Sequence, residues 1–193
     1  MKNVIERHLL LLLFILAVQS IYGQRTISMN LERMVTNAGM IVHGTVVKVE
    51  TKNDQESNIL STFVTIDVKE NFYGASETPI TIKMLGGSSK ARTIKLAEMP
   101  TFSVGEEIVG MFYAPSKLGF SSPVGMGQGK FSVVNDAKTN TVVAKNSFNN
   151  KNLFAKLQHS SSLAKTAIVH SPESLPLADL SQSIRSLVTI LKK

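Results

Sequence analysis

The sequence predicts a mainly β fold, a small antiparallel OB-like barrel or curled sheet with a short N-terminal helix and a C-terminal amphipathic helix. Three observations predict it. Val, Ile and Thr gather in short runs parted by Gly, Pro and Asn turns. Residues 60–68 alternate, with Leu60, Thr62, Val64, Ile66 and Val68 facing one way and Ser61, Phe63, Thr65 and Asp67 the other, which is the period of a half-buried strand. Helical periodicity is confined to the two ends, so no helices alternate with strands as a parallel sheet would need. An open sandwich is the second architecture that fits.

At 193 residues the chain has the length of one domain with appendages, and its 43% hydrophobic content is ample for a core. The absence of cysteine excludes a disulfide framework, a zinc–thiolate site and a thiol nucleophile. Residues 1–23 have the layout of a cleavable signal peptide: Lys2 and Arg7, an apolar run over 9–18, then Gln19, Ser20 and Gly23. That run is shorter than the roughly 20 residues of a transmembrane helix. Cleavage after Gly23 or after Ser20 is expected, an uncleaved anchor being the competing reading, and a secreted or periplasmic location without stable membrane insertion follows. Removing Lys2, Glu6 and Arg7 lowers the formal net charge from +7 to +6. The remaining cations are scattered, which suits a solubilising surface first and an anionic partner second.

The β domain is expected over 24–147. Leu31, Met34 and Val35 have helical spacing and Gly39 ends that run, which predicts a short capping helix. A strand follows over 40–50, with Gly44 marking a bulge and His43 a structural histidine. Residues 52–58 read as a solvated hairpin turn rather than a calcium loop. After the alternating strand, a turn at 73–76 leads to a strand over 79–84 that ends at Gly86 and Gly87. Lys90, Arg92 and Lys95 place three cations within six residues; plain solvation is the first reading of this loop, and it is also the best candidate in the chain for an anion- or partner-contacting loop. Gly105 sits in a turn before a buried strand over 108–113, and Pro115–Pro123 reads as an exposed loop.

Gly125, Gly127 and Gly129 then recur every second residue. They match neither a dinucleotide fingerprint nor a phosphate loop, because strand and not helix follows. Read as part of a strand, they leave one face bare for a closely packed neighbour, so all three are taken as structural glycines. A hairpin of strands 131–134 and 141–145 completes the sheet. Residues 148–176 read as a linker in which Leu153, Phe154 and Leu157 either dock or form a short helix. Residues 177–193 form the last segment, with Leu177, Leu180, Ile184, Leu187, Val188 and Leu191 on one helical face that is expected to pack on the sheet rather than on a membrane.

Motifs of defined chemistry are lacking. The chain has no HExxH and no GxSxG, and His43, His159 and His170 lie far apart in sequence. Ser162 and Lys165 have SxxK spacing but lack its supporting elements. No catalytic residue, cofactor or metal is therefore expected. Glycosidases need only two carboxylates, so a carboxylate-based hydrolase acting on an extracellular polymer, using Glu106, Glu107, Asp67 or Glu70, is the alternative. Of these, adjacent Glu106 and Glu107 are expected to face solvent from a turn. Nucleic acid is not expected as a partner, since the aromatics on strand faces are few.

The runs MIVHGTVVKVET, FVTIDVKENFYG, LGG, MPTFSVGEEIVGMF and VGMGQGKFSV, within residues 38–134, resemble a family of exported bacterial proteins of unknown function. Its members share VxGxVxxV, PxFxxGE and VGxxQGxFxV motifs and often end in a short helix. The resemblance implies no catalytic residues; it implies an accessory role, with a secreted metalloprotease as one partner. The strand pattern is also similar to the OB-like barrel of netrin and metalloprotease-inhibitor modules. Those inhibitors chelate zinc through an N-terminal cysteine, which this chain lacks, so that mechanism is not implied. The function expected is an exported non-enzymatic binding or accessory module whose partner is a protein or an anionic envelope polymer.

Overall fold

The computed structural model describes residues 27–137, 139–159 and 175–193. The signal-like segment, the SxxK run, His170 and residues 160–174 of the expected linker lie outside them. The elements are α1 (Leu31–Asn37), β1 (Met40–Asn53), β2 (Leu60–Tyr73), β3 (Ile80–Leu85), β4 (Gly87–Ser88), β5 (Thr93–Ile94), β6 (Glu107–Phe112), β7 (Lys130–Asp136), β8 (Thr141–Asn146) and α2 (Leu177–Leu191). Six strands form one sheet in the order β3-β2-β1-β6-β7-β8, and β4 pairs with β5 in a separate hairpin. All the strand pairings are antiparallel.

The fold is thus mainly β, a curled antiparallel sheet with two helices. It is not closed into a barrel. Residues 120–123 occupy the gap between β3 and β6, but they reach those strands only through single bridges, Lys83 with Phe120 and Phe112 with Pro123. A full strand cannot run there, because Pro123 has no N–H to give to a ladder. The Pro115–Pro123 excursion is accordingly exposed in its first half and returns to the sheet in its second, where Ser121 and Pro123 are buried.

The curl comes from β1. Its pairing with β2 shifts register between Ile41 and Val42, between His43 and Gly44, and between Val46 and Lys48. Each shift bends and twists a strand locally. At Gly44 the strands approach so closely that a Cβ would lie 2.3 Å from the Asp67 carbonyl oxygen.

Two hydrophobic cores lie on opposite faces of the sheet. Inside the curl, Val42, Val46, Val64, Ile66, Ile80, Ile82, Met84, Ile108 and Phe112 are buried together with Phe102. On the outer face, α1 and α2 cover Ile41, Val109, Met111, Phe131 and Ala144. β6 serves both cores and is buried over almost its whole length. In α1 the side chain of Asn30 accepts from the Arg33 N–H, capping a helix whose Leu31, Met34 and Val35 are fully buried. In α2 the buried apolar residues are Leu180, Ile184 and Leu187, at the spacing the sequence predicts. Arg185 of α2 holds Glu70 of β2 through two hydrogen bonds of 2.7 and 2.9 Å. Lys192 donates to the Thr36 and Ala38 carbonyls at the end of α1, complementing that helix terminus. Among the described residues no helix is long and apolar enough to cross a membrane.

One expectation needs correction. The glycine-spaced run is not strand: Met126–Gln128 form a 3-10 turn, entered through Gly125 in the left-handed conformation. The Gln128 side chain explains the turn. Its amide accepts from the Met29 N–H and donates to the Ile27 carbonyl, pairing with the incoming chain much as a strand would. In the described part of the expected linker, Leu153 docks: it is buried in the outer core and its carbonyl accepts from the Leu31 N–H at 2.7 Å.

Candidate functional site

The curl's core stops at Met84 and Phe102, and beyond them the sheet opens into a cleft of about 420 Å³. Its walls come from three places. Val49 and Thr51 of β1, Thr62 of β2 and Met84 of β3 form the floor, the β4–β5 hairpin contributes Ser88 and Ile94, and the following loop brings Lys95, Leu96, Met99 and Phe102. The volume falls in the range of small-molecule sites. Its floor hydroxyls are already satisfied: Thr51 and Thr62 bond each other at 3.0 Å, and Thr62 donates to the Gly86 carbonyl at 2.7 Å. No carboxylate or imidazole is in its lining.

Of the three candidate cations, Lys95 is in the lining, while Lys90 and Arg92 lie outside it in the turn of the β4–β5 hairpin. Arg92 donates to the Asn53 side chain at 2.8 Å. Lys90 and Lys95 are exposed, and among the described residues neither makes a hydrogen bond or ion pair.

Behind the floor stands a buried lysine that the sequence does not reveal. Lys130 lies 2.5 Å from Glu106, donates to the Thr101 carbonyl at 2.7 Å and sits 4.8 Å over the Phe102 ring. Phe102 in turn stacks on Phe112 at 6.4 Å. The PTFSVGEE and GMGQGKF runs are therefore physically one unit, joined by an ion pair and a cation–π contact.

Glu106 and Glu107 do not face solvent from a turn. β6 begins at Glu107, so the pair straddles a strand end and alternation sends the two side chains to opposite faces. Glu106 points into the curl toward Lys130 and Ser132. Glu107 points to the outer face, 2.7 Å from His43 and 2.9 Å from Lys69. Burial opposes ionisation of each, yet hydrogen bonds and charge from Lys130 in one case, and from Lys69 and His43 in the other, outweigh it and hold both carboxyls below the usual range. Glu70 is engaged by Arg185 and Asp67 is exposed, so the four carboxylates do not converge on one pocket. His159 pairs with Glu32 of α1 at 2.5 Å, far in sequence from His43. Among the described residues no group of three or more His, Asp or Glu is placed to hold a metal ion.

No family model, curated protein or solved structure matches the chain.

The five structural glycines serve different ends. Gly105 takes φ +85° in the turn before β6 with nothing near its absent side chain. Gly127 lies 2.7–2.8 Å, measured from an ideal Cβ, from the Ser147 side chain, and Gly129 lies 2.4 Å from the Val124 carbonyl. What the sequence reading missed is the apolar lining of the cleft. The signal was present as Ile94, Leu96 and Met99, three apolar residues in a stretch read as a solvated loop, with Phe102 just beyond it.

Proposed function

We propose that the chain is an exported, non-enzymatic binding or accessory module that engages its partner at the open end of the curl. The observation that carries this reading is the cleft, an apolar concavity with Lys95 in its lining and Lys90 and Arg92 on the hairpin beside it, whose lining offers no carboxylate or imidazole. The partner is a protein, with a secreted metalloprotease the specific candidate from the family resemblance, or an anionic envelope polymer. Opposite placement of Glu106 and Glu107 argues against a two-carboxylate hydrolase, which needs both groups on one substrate.

The test is crosslinking and affinity capture of the tagged chain in its native envelope and culture fluid, compared with a variant carrying Lys90→Ala, Arg92→Ala and Lys95→Ala together. The variant is expected to fold with an unchanged melting temperature, because all three side chains are exposed. It should capture at least several-fold less of a stoichiometric partner, with the difference fading at high salt. Equal capture by both forms would remove the three cations from the binding surface.

A further inference from the structure

From the groups left unused in the cleft we infer that its ligand is a single-chain anionic amphiphile, an acyl chain ending in a carboxylate or phosphate. The inference rests on the binding-module reading and gives that site a ligand class. Three observations converge on it.

First, the polar atoms of the floor are already satisfied. Thr51 and Thr62 bond each other, Thr62 bonds Gly86, Ser88 bonds Thr93 at 2.8 Å, and the Thr101 carbonyl accepts from Lys130. A sugar or nucleotide in the floor would lose its hydration without recovering those hydrogen bonds. Hydrocarbon has nothing to lose there. Second, the accessible surface of the cleft is apolar and includes an adaptable methionine, since half-buried Val49, Ile94, Leu96 and Met99 supply it over the buried Met84 and Phe102. Part of it meets solvent, with the lining residue Leu85 39% exposed. Third, the one charged group in the lining is a cation, Lys95. Residues 86–97 carry Lys90 and Arg92 besides, both outside the lining, and no acid. Glu50 of β1 faces away and is held by Lys48 and Lys52, and Glu98 is exposed on the loop outside the lining. The Lys95 ammonium is the lining group positioned to meet a charged head while the chain lies on the floor.

The test is titration of the purified chain with dodecanoate, dodecyl phosphate and dodecyltrimethylammonium, three probes with one tail and different heads, followed by displacement of a fluorescent fatty acid. Saturable one-to-one binding is expected for the two anions. Their relative affinity assigns the natural head as carboxylate or phosphate, and either order supports an anionic ligand. The cationic probe should bind about fivefold more weakly or worse, and Lys95→Glu should remove that preference without changing the melting temperature. Leu96→Asp, at a half-exposed loop position, should abolish dodecanoate binding. Equal affinity for all three heads, or binding that survives Leu96→Asp, overturns the inference. A chain that ignores dodecanoate yet still captures its stoichiometric partner overturns the inference and leaves the module reading standing. A chain that binds dodecanoate and also cleaves acyl esters overturns the module reading instead.

Discussion

At the scale of single residues, the fold depends on a few positions where only one side chain fits. Two glycines separate the causes. An Ala at position 129 would bring its Cβ within 2.4 and 2.6 Å of the Val124 backbone oxygen and nitrogen, and that backbone yields only at the cost of disturbing the Val124 N–H bond to the Met111 carbonyl of β6. At Gly105 nothing lies within 4 Å, so an Ala there meets only the conformational penalty of φ +85°. Gly129→Ala is therefore expected to cost roughly 3 kcal/mol or more, and Gly105→Ala about 1–2 kcal/mol. Urea unfolding of the two variants side by side decides it; equal losses would discard the steric account of Gly129. Lys130 is the converse case, a charge admitted to the interior. It is only 8% exposed and persists because a carboxylate, a carbonyl and a ring face surround its ammonium.

At the scale of elements, α2 is the piece that the outer core cannot lose. Alone, a fifteen-residue helix rich in serine would be marginal in water. It is ordered by burying Leu180, Ile184 and Leu187 against α1, β2 and β8 and by the Arg185–Glu70 and Lys192 contacts at its flanks. Ile184→Ala should cost about 2–4 kcal/mol, the transfer and cavity cost of a fully buried aliphatic side chain. Arg185→Ala should cost about 1 kcal/mol or less, since that pair is solvent-exposed. Thermal melts of both variants test the ranking, and an Arg185 variant as damaged as the Ile184 variant would contradict it. The apolar periodicity of this helix was fully legible in the sequence because a helix carries its pattern locally. The strands were legible for the same reason, with boundaries extended where pairing with a neighbour prolongs them, as at the ends of β1 and β2.

At the scale of the whole molecule, ion pairs set the response to pH. The Lys83 ammonium and the Ser57 hydroxyl and N–H hold Asp54 down at about 2. Glu106 and Glu107 are lowered by their basic partners despite burial, and Glu32 is lowered by His159 and the 158–159 backbone, also against burial. Each carboxyl ionises more readily folded than unfolded, so its stabilisation is complete above the unfolded value of about 4 and is lost as pH falls through the folded value. Stability should thus be level near neutrality and decline from about pH 5 downward. Glu106→Gln should cost about 3 kcal/mol at pH 7, where it strands Lys130. It should cost less as pH falls through the folded carboxyl's own lowered titration, where the native side chain loses its charge too. Denaturant melts across an acid pH series test this, and a loss independent of pH would remove Glu106 from the account.

The sequence by itself determined the β class, the order along the chain of the six strands of the main sheet and both helices, because periodicity and turn chemistry are local properties of a chain. It also placed Lys90, Arg92 and Lys95 in one loop, since they are neighbours in sequence. Only the tertiary structure decided that the sheet stays open, that Gly125–Gly129 wrap a 3-10 turn around Gln128, and that Glu106 and Glu107 part to opposite faces. The same holds for the cleft, whose lining spans residues 49 to 102 on three strands, a hairpin and a loop. Such features depend on which distant segments meet and in what register, and a contact between β6 and β7 or between β1 and residue 102 leaves no periodic trace in either segment alone.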